Sequence, residues 1–589
     1  MDPESSNKRN SELNGDGVEM NEVQKTNGKN NNGEVVHEYL DYEPSGWLET
    51  TLLKVGSSTD GFFKKNSEAM KTIFWFVFNG LVIGYFAGCW YYWANILQDP
   101  LVLCSGFGSL IAFLGIIYFF VIYFMVVKRF FGKWFSRVVW IKVSDVSGYL
   151  WRIILFRWCF CLAVLAAIVV FLYFDTRDAP ERLISLLGLG ILLMLAFVFS
   201  AHPGRINWRT VSMGLLLQFL FGVLFIRVEP GRIALQCFAD KVATFLMYGV
   251  EGAAFAFGDL LVRTEQVFAF STLPVIFFFS MLVEVLFFWG ALQWFVLKLG
   301  GVLRALTATT VCESVIAVGN VFLGMTESIL LIKPYISLLT PSELHVVMSS
   351  GFATVSGTIL AAYIGFGAEP AHLVTASIMS APAAICYSKL LMPETKRSLT
   401  TVDNIQPVPS EDQSALSAAT RGATNGIALI LNIIANIVAF VSFIAFVNGV
   451  LGYAGGMLGN PELNLEWVFG KIFIPLCWVM GVPWEECELV GSLIGLKTVV
   501  NEFVAYQRMG EMKKAGLLSP RAELIATYSL CGFTNPGSAG IMIGAIAAMA
   551  PNQRETLSSL AIRAFFGGCG ICFMTACIAG LLMPEGSFG

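Results

Sequence analysis

The chain has 589 residues, 56% of them hydrophobic and 14% charged, with a formal net charge of −4 and a mean hydropathy of +0.68. That balance is far from a soluble globular average and makes this a polytopic membrane protein. It offers no basic patch interleaved with aromatics, so nucleic acid is not an expected partner.

Residues 1 to 45 are polar, rich in Asn, Gly and Glu, and lack the apolar core of a signal peptide; they read as a disordered cytosolic tail. Apolar stretches of bilayer-crossing length follow at 72–96, 154–174, 183–201, 211–228 and 424–451. The connection 128–153 carries Lys128, Arg129, Lys133, Arg137, Lys142 and Arg152, with two spans between it and the tail, so both belong on the cytoplasmic side. The turn HPGRINWR at 202–209 lies two spans later and falls on the same side.

Thirteen cysteines are scattered, mostly in apolar segments, and read as small buried hydrophobes; Cys569 and Cys572 form a CxxC with no second pair or histidine beside it. His37, His202, His345 and His372 are dispersed, and no HExxH, GxSxG or phosphate-binding loop is present. The residues therefore argue against an enzyme and against an organic cofactor or metal cluster.

An internal repeat is the strongest signal. CESVIAVGNVFLGMTES (312–328) lies over CELVGSLIGLKTVVNEF (487–503) at an offset of 175, each with Cys-Glu, thirteen residues, and a glutamate after a small polar residue. Downstream, Gly351, Phe352 and Thr354 fall on Gly532, Phe533 and Asn535 at an offset of 181. Segments 307–340 and 484–519 are too interrupted by polar residues for clean spanning helices and read as re-entrant hairpins. Gly319, Asn320 and Gly324 in the first, with Gly495 and Asn501 in the second, mark the tips, and GFATVSG and GFTNPGSAG mark breaks in the helices that follow. Matching interrupted segments in two halves are the signature of a secondary-transporter binding site. Glu327 and Glu502 are costly in a membrane and are read as functional, with Lys333 and Lys497 as ionic partners on the alternative view. Glu313 and Glu488, near the segment starts, read as capping or interfacial groups.

The stretches RINWRTVSMGLLLQFLFG, GNVFLGMTES, SELHVVMSSGFATVSGTILAAYIGFG, GLKTVVNEFVAY and AELIATYSLCGFTNPGSAG resemble the concentrative nucleoside transporters, over roughly residues 183 to 583. Length and extra N-terminal spans are similar to the animal branch. The resemblance implies an all-α membrane fold: a scaffold domain and a two-repeat transport domain of two re-entrant hairpins and broken helices. The expected divisions are 1–70 as tail, 71–182 as additional N-terminal helices and 183–300 as scaffold. The first repeat then takes 301–400, scaffold and linker 401–480, and the second repeat with the C-terminal helix 481–589. It further implies a plasma-membrane homotrimer that imports nucleosides with sodium, or protons, by an elevator movement. Met325, Thr326, Glu327 and Ile359 would meet the base, and Glu502, Phe533, Asn535 and Ser538 the ribose. Asn320 and Thr354 side chains and the Leu323 and Val355 carbonyls would hold sodium.

Four positions depart from the family pattern. Met325 replaces a glutamine, and a thioether scarcely accepts a hydrogen bond, so base selectivity should differ. Ile329 replaces a proline. Glu284 replaces a small polar residue and is a candidate coupling carboxylate or a locally paired one. Pro536, where many relatives carry isoleucine, enforces a break. Transport of another solute, such as a nucleobase, and a non-transporting sensor are the alternative readings.

Overall fold

The computed structural model describes residues 27–29, 35–37, 47, 67–98, 100–123, 154–400, 410, 412–460 and 463–583. The basic connection 128–153, on which the orientation rests, lies outside the described residues, as does most of the polar tail. The chain divides into two compact units, Met1–Tyr123 and Phe124–Gly589.

In the first unit, strands β1 (Asn27–Lys29) and β2 (Val35–His37) pair antiparallel. Helices α1 (Ser67–Tyr92) and α2 (Gly106–Ile122) of this unit are tied by Tyr118, whose hydroxyl donates to Asn79 Oδ1 at 2.6 Å. Apart from that strand pair, every element in the described residues is helical.

The described residues of the second unit begin with α3 (Ile154–Asp175), α4 (Leu183–Val198), α5 (Trp208–Gly222) and α6 (Glu229–Phe257). Then come α7 (Val275–Phe288) and α8 (Ala291–Thr307). Among the described residues of the whole chain, eight helices are long and apolar enough to cross a bilayer. The repeats follow as shorter pieces. Helix α9 (Val311–Phe322) runs into extended backbone at Leu323 (φ −106°, ψ 160°) before the single turn α10 (Glu327–Leu330). Helix α11 (Pro341–Ala353) breaks at Thr354 (φ −121°, ψ 153°) and resumes as α12 (Gly357–Gly365). The spanning helices α13 (Pro370–Leu391) and α14 (Ala415–Met457) and then α15 (Leu465–Met480) separate this repeat from the second. The pattern then recurs. Helix α16 (Cys487–Val499) breaks before α17 (Glu502–Lys514), and α18 (Pro520–Leu530) breaks before α19 (Pro536–Met549). The last helix, α20 (Arg554–Leu582), is buried along most of its length, as is α13, and the repeats pack around these two.

Local sequence explains where the pieces start. Thr310 with Glu313, and Thr340 with Glu343, form capping boxes that satisfy the first amides of α9 and α11. Pro341, Pro520 and Pro536 each open a helix, where the missing N–H costs nothing.

The breaks lie three or more residues beyond some of the expected tip markers. Gly319, Asn320 and Gly495 sit inside helices, and the chain leaves helical geometry at Leu323 and at Val500–Asn501. Gly495 is small for packing rather than for bending, because a Cβ there would lie 2.3 Å from Phe469 Cβ. A Gly495→Ala variant should therefore lose about 1–3 kcal/mol of stability, read as a lower thermal midpoint of the purified protein.

Candidate functional site

A cavity of about 700 Å³ opens in the second unit where the two repeats meet α7 and α14. Met325, Thr326, Glu327, Ile359, Glu502, Phe533, Asn535 and Ser538 all line it, as does Glu284. Residues 213 positions apart in sequence, from Met325 to Ser538, thus share one wall system.

The second repeat builds its share from two helix starts. Asn501 caps α17, its side-chain oxygen accepting from the Val504 amide at 3.0 Å, which places Glu502 in the first turn. Asn535 caps α19 in the same way, Oδ1 accepting from the Ser538 amide at 2.8 Å. That cap fixes which way the Asn535 amide faces, and its Nδ2 donates to Glu502 Oε2 at 2.7 Å. Both helix N-termini carry partial positive charge, which suits a carboxylate between them. Glu502 and Asn535 are only 2% and 4% exposed.

The first repeat holds its carboxylate more loosely. Glu327 opens a helix of four residues, and its Oε2 accepts from Thr326 Oγ1 at 3.1 Å. The carboxylate folds back on Gly324, where a Cβ would come within 2.0 Å of Oε2. Met325 is buried and presents no donor to the cavity.

Beside the cavity lies an oxygen-rich knot. Asn320 Nδ2 donates to Ser350 Oγ at 2.9 Å, Ser328 Oγ donates to Asn320 Oδ1 at 2.6 Å, and Thr354 Oγ1 donates to the Ser350 carbonyl at 2.9 Å. Leu323 and Val355 lie in the two adjoining breaks, where backbone carbonyls leave the helical ladder, and their neighbours Gly324 and Ser356 line the cavity. Side-chain and backbone oxygens of this kind suit a hard monovalent cation. Among the described residues no group of three His, Cys, Asp or Glu side chains could hold a metal ion.

Other charged residues have partners within the protein. Glu313 completes the α9 capping box and is ion-paired with Lys389. Glu488 pairs with Lys471 at 2.6 Å. Lys497 donates to the Ser529 carbonyl at 2.9 Å, and among the described residues no ion pair joins it to Glu502. Glu284 accepts from Arg421 Nη2 at 3.0 Å, the local pairing foreseen as an alternative to a coupling role.

Sequence reasoning missed Ser328 and Ser350, and it missed the face of α14 that carries Thr424, Asn425, Asn432 and Asn436 into the cavity. Asn425, Asn432 and Asn436 are spaced by seven and four, one helix face, and that polar stripe in an apolar span was the available signal.

Family models match most of the second unit. The N-terminal domain of Na+ dependent nucleoside transporters matches residues 187–260, a nucleoside recognition (Gate) domain 269–370, and the C-terminal domain of the same transporters 372–580. Solute carrier family 28 member 3 of Eptatretus stoutii is 38% identical over 567 residues, covering 92% of this chain and 80% of the relative. The chain belongs to the sodium-dependent nucleoside transporter family. Sodium/nucleoside cotransporter 1 of Oryctolagus cuniculus is 40% identical, covering 78% of this transporter and 71% of its own length. For human solute carrier family 28 member 3 the identity is 42%, covering 72% of this transporter and 64% of the human protein. The solved structure of CNTnw in an inward-facing substrate-bound state matches with a TM-score of 0.65 at 38% identity, over 68% of this transporter and 98% of that chain. An outward-facing variant of CNTnw matches with a TM-score of 0.66 at 37% identity, again over 68% and 98% of the two chains. The relatives named here are transporters, not enzymes, and this family member is a multi-pass membrane protein.

Proposed function

We propose that the protein imports nucleosides together with sodium, by alternating access in which the two repeats move as an elevator against the scaffold helices. The observation that carries this reading is the convergence of Glu327 and Glu502, from the two halves, on one cavity beside the Asn320 knot. Ribose hydroxyls donate to Glu502 and meet Asn535 and Ser538, with Phe533 against the sugar. The base lies toward Met325, Thr326, Glu327 and Ile359, and because Met325 offers no edge to pair with, base preference differs from relatives that carry glutamine there. Sodium sits on the Asn320 and Thr354 oxygens and the Leu323 and Val355 carbonyls. The protein works as a homotrimer in the plasma membrane with its N-terminus in the cytosol.

Uptake of labelled adenosine, uridine and thymidine into transporter-deficient cells tests the reading, with choline replacing sodium in one arm and external pH varied in another. Sodium-dependent accumulation is expected, and flat uptake of all three in every arm would overturn it. An Asn320→Ala variant should raise the half-saturating sodium concentration about tenfold, the size of one lost polar ligand, while the nucleoside KM measured at saturating sodium moves less.

A further inference from the structure

The structure gives the Glu284 carboxylate a built setting. Glu284 on α7 faces α14, whose RGATNG sequence (421–426) supplies two glycines one turn apart. A Cβ at Gly422 would lie 2.6 Å from the Ser280 carbonyl and 2.9 Å from Glu284 Cβ, and one at Gly426 would lie 2.9 Å from Phe277. These small residues let the two helices close up. The residue before each glycine then reaches Glu284: Arg421 Nη2 donates to Oε2 at 3.0 Å and Asn425 Nδ2 donates to Oε1 at 3.2 Å. Arg421 is shared with Asp412, at 2.8 Å, so two carboxylates meet one guanidinium and the group keeps a net negative charge. Each Glu284 oxygen has accepted one of these donors, and a carboxylate has about four acceptor sites, so one per oxygen is left for the cavity that Glu284 and Asn425 line.

We infer that Glu284, oriented by Arg421 and Asn425, is a base-recognising residue that accepts two adjacent N–H donors from the base edge of a nucleoside. Guanosine has that edge, a ring N–H beside an exocyclic amine. Inosine keeps one of the two donors. Uridine flanks its single N–H with two carbonyls that the carboxylate repels. The carboxylate thus supplies on the α7–α14 wall the polar recognition that Met325 does not supply at the first break. Arg421 acts as a positioning residue, since it holds the carboxylate rather than the base.

The inference rests on the nucleoside-transport reading, and one experiment separates the two. Concentration-dependent uptake of guanosine, inosine and uridine is measured for the wild-type protein and for Glu284→Ser and Glu284→Gln, normalised to surface protein. The guanosine KM should rise roughly tenfold or more in Glu284→Ser, the inosine KM about threefold and the uridine KM least, so that the guanosine preference collapses. Glu284→Gln, which keeps the shape and one acceptor, should lose part of that preference. Wild-type protein that moves uridine but not guanosine, or KM values that shift by one common factor for all three, would overturn the inference and leave transport standing. Absence of both variants from the surface would make the group a helix tie and overturn it too. Wild-type protein that moves no nucleoside brings down the transport reading itself.

Discussion

Replacing Glu502 by glutamine should lower nucleoside uptake roughly ten- to hundredfold at equal surface expression, the loss expected when a charged hydrogen-bond acceptor worth about 1.5–3 kcal/mol becomes a neutral one. Folding should survive. Glutamine has the same volume and still offers Asn535 Nδ2 one acceptor, and Asn535 cannot turn away because its oxygen caps the Ser538 amide. The defect belongs in transport kinetics, with the thermal midpoint of the purified protein nearly unchanged. Uptake within twofold of wild type would remove Glu502 from the ribose site.

The largest stability effect is expected far from the cavity mouth. Lys389 on α13 pairs with Glu313 at the start of α9, and its Nζ also donates to Ser342 Oγ at 2.9 Å. Glu313 is 1% exposed, so a Lys389→Met change leaves a buried carboxylate without its cation, a loss of about 3–5 kcal/mol. Protein should disappear from the membrane or unfold at markedly lower temperature. Adding Glu313→Gln should recover much of it, because glutamine serves as well as glutamate at that capping-box position and carries no charge to strand. A double variant as unstable as the single one would show that the pair's worth lies in packing.

The broken-helix architecture was legible because carboxylates and small polar residues are expensive in apolar spans, so their appearance twice at one spacing had to mean something. The eight residues assigned to the substrate do line one cavity, which follows from the duplication: equivalent breaks in two halves point at the same place. The positions of the tips were less legible. Gly319, Asn320 and Gly495 look like helix breakers in a sequence, yet a tightly packed neighbour such as Phe469 can require glycine in the middle of a helix. Asn320 stays helical because Ser328 and Ser350 satisfy its side chain from other segments. Lys389 could not be matched to Glu313 because the two lie 76 positions apart on separate helices. The three cavity-lining asparagines of α14 were hidden differently: a hydropathy average over a long span dilutes their amides into a hydrophobic mean.

The unequal grip of the two repeats on their carboxylates has a consequence for how such a protein can change over generations. Glu502 is held between two helix caps, so a substitution at Asn501 or Asn535 disturbs a helix start as well as the carboxylate beside it. Glu327 sits in a four-residue turn, its carboxylate accepting from Thr326 Oγ1 and lying against Gly324. A change in the first repeat's turn therefore unravels less helix than one at the second repeat's caps, and variation is accommodated more readily in the first copy.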